Sequence, residues 1–151
     1  MLPNPAALVA RLHAVLAALL KRPARAPSHN LELGGRGEDE AASFLRRNGY
    51  EILERNYRSR HGEIDLIAFR DGVVAFVEVR SRSGPAGLEP LESVTGAKRR
   101  RIIRTAHAYV RQRLRGRGSV ELRFDVIGVL YSPGRNVSVR VHHVAGAFVT
   151  E

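Results

Sequence analysis

A chain of 151 residues is long enough for one domain with a substantial core and too short for two comfortable ones. Its 44% hydrophobic and 26% charged residues match an ordinary globular composition, which excludes wholesale disorder. Twenty-five Lys and Arg against fifteen Asp and Glu leave a net charge of +10, a bias toward polyanions with nucleic acid foremost, while the lack of cysteine excludes disulfides, thiolate metal sites and Cys nucleophiles.

Residues 7–20, ALVARLHAVLAALL, fall short of the roughly 18 apolar residues a membrane span needs, and Arg11 and His13 interrupt them. No basic residue precedes the apolar part, so a secretory signal is a poor match. The expectation is a cytoplasmic protein without stable membrane insertion. The pattern over 8–21 predicts an amphipathic helix, with a membrane-surface or partner-docking use as the competing role. KRPARAPSHN then reads as a Pro-rich basic linker. Residues 1–30 are therefore expected to be an appendage to a domain over 31–151.

The domain opens on LELGGRGEDEAASFLRRNG, a helix that Gly49 should stop. Ala41, Ala42, Leu45 and Asn48 follow Glu38 at helical spacing, which puts Glu38 on or beside the buried stripe. Gly34 and Gly37 are expected to permit close helix packing rather than to cradle phosphate. YEILERNY reads as a strand, residues 62–80 as a hairpin, and RSRSGPAG as a flexible loop. A long helix is predicted from an N-cap at Thr95 to Leu114, with Ile102, Ile103, Ala106, Val110 and Leu114 inward and arginine outward. From Lys98 to Arg117 there are nine basic residues and no acid. Strands over 120–131 and 137–144, joined by the turn SPGRN, complete an α/β sandwich around a mixed central sheet flanked by helices.

The hairpin carries the chemistry. Asp71-Gly72 marks a two-residue turn, and pairing Arg70 with Val73 makes every cross-strand pair sum to 143. Asp65 then faces Glu78, and Glu63 faces Arg80. One face carries Ile64, Leu66, Ala68, Ala75, Val77 and Val79. The other carries Ile67, Phe69, Val74 and Phe76, followed by the four charged residues. Two carboxylates about 5 Å apart repel by roughly 3 kcal/mol at an effective dielectric of 20. A shared proton, a basic neighbour or a divalent cation would each offset that; an oxygen-rich site with open water positions suits Mg²⁺ or Mn²⁺. The competing arrangement pairs Arg80 with Glu63 and leaves Asp65 and Glu78 at a wet edge.

L-G-x-x-G-E at 33–38, N-Y-R at 56–58, G-E-I-D-L-I at 62–67, F-V-E-V-R at 76–80 and R-F-D at 123–125 together resemble the YraN family of bacterial proteins. That family's fold is similar to restriction-endonuclease-like nucleases, archaeal Holliday junction resolvases among them. The resemblance spans about residues 31–144. It implies catalytic positions at Glu38, Asp65, Glu78 and Arg80, and metal ligands from Asp65, Glu78, Glu38 and the Val79 carbonyl. Where the nuclease pattern has lysine this chain has Arg80, which cannot act as a base but can hold a phosphate. Lys98 is weighed as a replacement amine against a solvated place on a charged face, the latter being the expected role.

Two functions follow as expectations. One is a DNA endonuclease dependent on Mg²⁺ or Mn²⁺, with branched DNA as a candidate substrate and a homodimer as the simplest way to cut both strands. The other is a nucleic-acid-binding protein with a degenerate site. Phosphate contacts are expected from Arg58, Arg60, Arg82, Lys98, Arg99, Arg100, Arg101 and Arg104. His107, His142 and His143 are set aside as metal ligands, because neighbouring strand histidines face opposite sides.

Overall fold

A computed structural model describes residues 29–83, 94–116, 118–132 and 138–149, with backbone alone over 29–34. The expected helix over 8–21, the linker through residue 28, the loop over 84–87 and the turn over 133–136 lie outside the described residues, as does the Gly34 packing contact, whereas His29 and Asn30 of the expected linker instead open the first helix. Helix α1 spans His29–Arg47 and strand β1 Glu51–Ser59. Strands β2 and β3 span Gly62–Arg70 and Val73–Ser83, helix α2 Gly96–Arg113, and strands β4 and β5 Glu121–Tyr131 and Val139–Phe148. β1 thus runs two residues past its expected end, β5 runs on to Phe148, and β3 absorbs the first four residues of the expected loop.

The strands form one sheet in chain order. β1–β2, β2–β3 and β4–β5 are antiparallel, whereas β3–β4 is parallel. A parallel neighbour needs a crossover, and α2 supplies it. Among the described residues the result is a mixed α/β fold with one helix on each face. Among the described residues no helix is long and apolar enough to cross a membrane.

Each helix lies where its sequence periodicity sends it. Ala41, Ala42 and Leu45 are fully buried against Ile52, Leu66, Ala68, Ala75, Val77 and Ile127 on one face. Full burial of a side chain such as Leu45 contributes about 2 kcal/mol. Ile102, Ala106 and Tyr109 pack on Leu53, Tyr57, Ile64, Phe76 and Phe124 on the other. The expected caps hold as well. Gly49 ends α1 at φ +80 with its N–H on Arg46 O at 3.1 Å, and Thr95 Oγ1 accepts from the Lys98 N–H at 3.3 Å. Asp71 and Gly72, at φ +51 and +83, make the tight hairpin turn.

Asp125 is a buried acid inside an otherwise apolar strand. It accepts from Arg123 Nε and Nη2 at 2.8 Å each and from the Gly146 N–H at 2.9 Å, and His143 Nε2 lies 2.8 Å away. Burial alone would raise this carboxyl; the bonds from His143, Arg123 and Gly146 outweigh it and hold it at about 2. The Arg123 guanidinium is raised by its bond to Asp125 and also reaches the Tyr50 hydroxyl at 2.7 Å. R-F-D therefore ties the irregular β4–β5 edge, where the register shifts between Phe124 and Val126, to the rest of the sheet.

Candidate functional site

The β2–β3 ladder keeps the expected register from Arg70↔Val73 to Leu66↔Val77 and ends there. Beyond the last rung a side chain replaces backbone pairing: the Val79 N–H donates to Asp65 Oδ2 at 2.7 Å. Burial, then the charge of Glu78, raise the Asp65 carboxyl to about 7; the Val79 N–H opposes them, Glu38 adds to them and Lys98 opposes them. The two acids singled out from the hairpin are thus electrostatically coupled at the fork of β2 and β3.

Three expectations about this fork are overturned, the first being the cross-strand pair Asp65–Glu78, because the ladder ends one rung short of it. Glu63 does not meet Arg80; it pairs with Arg58 of β1, whose Nε lies 3.0 Å from Glu63 Oε2, while Arg80 Nε lies 3.3 Å from Glu78 Oε1 on its own strand. Ile64 does not share a face with Leu66, since it joins the α2-side core. The physical reason is that β2 leaves β3 before reaching either residue and turns toward α2. Gly62, at φ +146, lies so near that helix that a Cβ would sit 3.3 Å from Thr105 Oγ1.

Glu38 reaches the same region from α1. Its neighbour Gly37 is buried against β3, and a Cβ there would fall 1.7 Å from Ser81 Oγ and 3.0 Å from Ser81 Cβ, so any larger residue requires Ser81 to rotate or the helix to shift. The expected packing role of Gly37 is therefore borne out. Glu38 Oε2 accepts from Asn56 Nδ2 at 2.9 Å, with Arg55 Nη2 4.0 Å away. Burial raises the Glu38 carboxyl; Asn56 and Arg55 partly counter that.

Lys98 departs from the solvated role expected of it. Its Nζ lies 2.5 Å from Glu78 Oε1, the oxygen that Arg80 also approaches. Glu78 itself is only 4% exposed, and these two cations answer the question of what offsets its charge. The remaining basic residues divide. Arg99 bonds the Val94 carbonyl at 3.0 Å and lies over the Phe148 ring, and Arg58 is committed to Glu63. Arg60, Arg82, Arg100, Arg101 and Arg104 are exposed.

Asp65, Glu78 and Glu38 offer carboxylate oxygen alone, the donor chemistry of a hard divalent cation. Among the described residues no three His, Cys, Asp or Glu side chains close on one point tightly enough to hold a metal by themselves. The residues fit a largely hydrated Mg²⁺ or Mn²⁺ held by one or two carboxylates better than an all-protein cage. Asn56 and the Asp125 network received no role from sequence. A turn-prone Asn within a strand and an Asp within an apolar strand were the signals for them.

Fold and site define a mixed α/β domain with coupled acids at a strand fork and a basic helix beside them. The chain belongs to the uncharacterised protein family UPF0102, whose model matches residues 37–129. It is 45% identical over 128 residues to a UPF0102 protein of Chlorobium chlorochromatii (strain CaD3), covering 83% of this chain and 97% of that one. It is 43% identical over 124 residues to a UPF0102 protein of Myxococcus xanthus (strain DK1622), covering 82% and 94%. A UPF0102 protein of Rhodococcus jostii (strain RHA1) is 43% identical over 121 residues, covering 80% and 99%. The matched span contains N-Y-R, G-E-I-D-L-I, F-V-E-V-R and R-F-D.

Proposed function

We propose that this chain is a divalent-metal-dependent DNA endonuclease of the restriction-endonuclease-like kind, with branched DNA as its candidate substrate class. The observation that carries this reading is the fork itself: Asp65, raised to about 7, beside buried Glu78, with the Lys98 amine on Glu78. Paired acids that burial keeps short of solvent favour a cation in their midst. A bound Mg²⁺ or Mn²⁺ would lower the pKa of a water and offset phosphate charge. Asp65 and Glu78 would hold it, with the Val79 carbonyl and Glu38 as further ligands. Lys98 would stand where the nuclease pattern has its strand lysine, orienting water or stabilising developing charge, while Arg80 would grip a phosphate. Exposed Arg100, Arg101 and Arg104 of α2, with Arg60 and Arg82, supply phosphate contacts in this reading; Arg58 and Arg99 would join only by exchanging their present partners.

Incubation with linear, flap and four-way-junction DNA in Mn²⁺ and Mg²⁺, alongside Asp65→Ala and Glu78→Ala, tests it. Cleavage by the unaltered chain that both substitutions abolish is the expected outcome. Cleavage surviving both would mark a contaminant.

One observation favours a second reading, a nucleic-acid-binding protein without catalysis: Glu78 already carries two cationic neighbours, and the strand lysine is Arg80. That reading expects salt-dependent DNA binding with no cleavage in either metal. In it, Arg100→Glu with Arg104→Glu removes two phosphate contacts and flattens the slope of log affinity against log salt by about 1.8 for duplex DNA.

A further inference from the structure

Asn56 adopts φ +51 in the middle of β1, whereas the other non-glycine residue with positive φ among those described, Asp71, sits in a turn. A left-handed residue inside a strand costs about 1–3 kcal/mol and persists where its surroundings require it. Its neighbours show what it accomplishes. Arg55 reaches α1, where its Nη2 bonds Asp39 Oδ1 at 2.6 Å, and its cross-strand partner Leu66 lies in the α1-side core. Two residues on, Tyr57 and its partner Ile64 both lie in the α2-side core, and the Tyr57 hydroxyl donates to Gln112 of α2 at 2.9 Å.

In regular strands residues two apart share a face. Here both strands change face between the rungs Arg55↔Leu66 and Tyr57↔Ile64, and the residues in that gap are Asn56 and Asp65. There too Asp65 turns from the β3 ladder and accepts the Val79 N–H. Asn56 then sends its amide to Glu38 at 2.9 Å. Backbone and side chain of one residue thus serve two of the three acids.

We infer that Asn56 is the positioning residue of the acidic site, its left-handed backbone turning Asp65 toward Val79 and its side-chain amide holding Glu38. The inference rests on the reading of these acids as a metal site only for its second half. Two substitutions separate the halves. Asn56→Gly keeps the left-handed backbone without steric cost and removes the amide, whereas Asn56→Val opposes that backbone.

Amide hydrogen exchange at Val79, referenced to the core amide of Phe76, and Mn²⁺ binding followed by electron paramagnetic resonance are measured on the full chain. In Asn56→Gly, Val79 protection is retained and Mn²⁺ affinity falls about tenfold as Glu38 loses its tether. In Asn56→Val, Val79 loses protection by about tenfold while Phe76 keeps it, the loss of one hydrogen bond to a carboxyl oxygen. Unchanged Val79 protection in Asn56→Val, or an equal loss at both amides, would overturn the positioning of Asp65. If the valine variant does not fold, unchanged Mn²⁺ affinity in the glycine variant overturns the inference. Absence of Mn²⁺ binding by the unaltered chain would instead sink the metal-site reading, and the exchange measurement still decides the role of Asn56.

Discussion

The Lys98 ammonium sits on Glu78 Oε1 at 2.5 Å, joining the first turn of α2 to the third strand of the sheet. Lys98 keeps 38% of its side chain exposed while the Glu78 side chain keeps 5%, so the contact matters mainly to the acid. Lys98→Met leaves Arg80, 3.3 Å away, beside that oxygen. We expect a loss of about 1 kcal/mol, at the modest end because a partly hydrated amine gives up little. Urea denaturation with and without Mn²⁺ checks this, and Mn²⁺ should stabilise the variant more than the parent. Equal stabilisation of both would separate Lys98 from the charge balance of the fork.

Asp65→Asn removes the charge that Glu78 opposes and keeps an oxygen for the Val79 N–H. The folded carboxyl titrates at about 7 against an ordinary value of 3.8. Between those values the folded chain holds a proton that the unfolded chain has released, so stability of the parent falls as pH rises through that window. The asparagine variant lacks this loss. Its melting temperature should exceed the parent's at pH 8 without divalent ions, and the gap should shrink toward pH 4. A gap constant with pH would contradict the raised carboxyl.

Gly37→Ala places a methyl group 1.7 Å from Ser81 Oγ and 3.0 Å from Ser81 Cβ, so the hydroxyl must rotate and α1 must give slightly. Overpacking of this kind costs about 1–3 kcal/mol. Because Glu38 follows Gly37, displacement of the helix should also weaken Mn²⁺ binding. Ser81→Ala removes the clashing oxygen and should restore part of both losses in the double variant. Failure of that rescue would show that the helix contact is looser than the geometry requires.

Asp125→Asn leaves the Arg123 guanidinium and the His143 ring facing a neutral amide in the interior. Breaking a buried charge pair costs about 3–5 kcal/mol. The Asp125 carboxyl is held at about 2, below its ordinary 3.8, so its contribution is present above pH 4 and is lost as pH falls toward 2. Thermal denaturation should show a large deficit for the variant at pH 7 and a smaller one at pH 3. An equal deficit at both would place the damage in packing rather than charge.

The elements were legible in sequence wherever periodicity and punctuation agreed. Gly49, Thr95 and Asp71-Gly72 ended or opened their elements as expected, since each imposes a local backbone geometry. The alternation rule carried the hairpin through Leu66 and Val77 and failed one rung later. Nothing in period-two patterning reveals that β2 will leave β3, because that departure is set by Asn56 on a third strand and by the close approach of Gly62 to α2. The proximity of Asp65 and Glu78 was readable for the reason that made it chemically odd, two acids in apolar strands. Lys98 was misjudged because a lysine among arginines looks solvated until tertiary structure brings its end to an acid. The R-F-D motif matched by resemblance turned out to serve the edge of the sheet.

The parallel β3–β4 pairing sets the sequence distance over which the fork is completed. Partners within β1–β3 lie at most eighteen positions apart, as with Glu51 and Phe69, whereas Val73 and its partner Glu121 are separated by 48. Contacts of that span carry a larger loop-closure entropy and slow folding relative to local hairpins. Asn56, Asp65 and Glu78 all belong to the local meander, while Lys98 rides on the segment that bridges the long gap. Local pairing can therefore gather the repelling acids, and it is the distant closure that delivers the amine to quiet them.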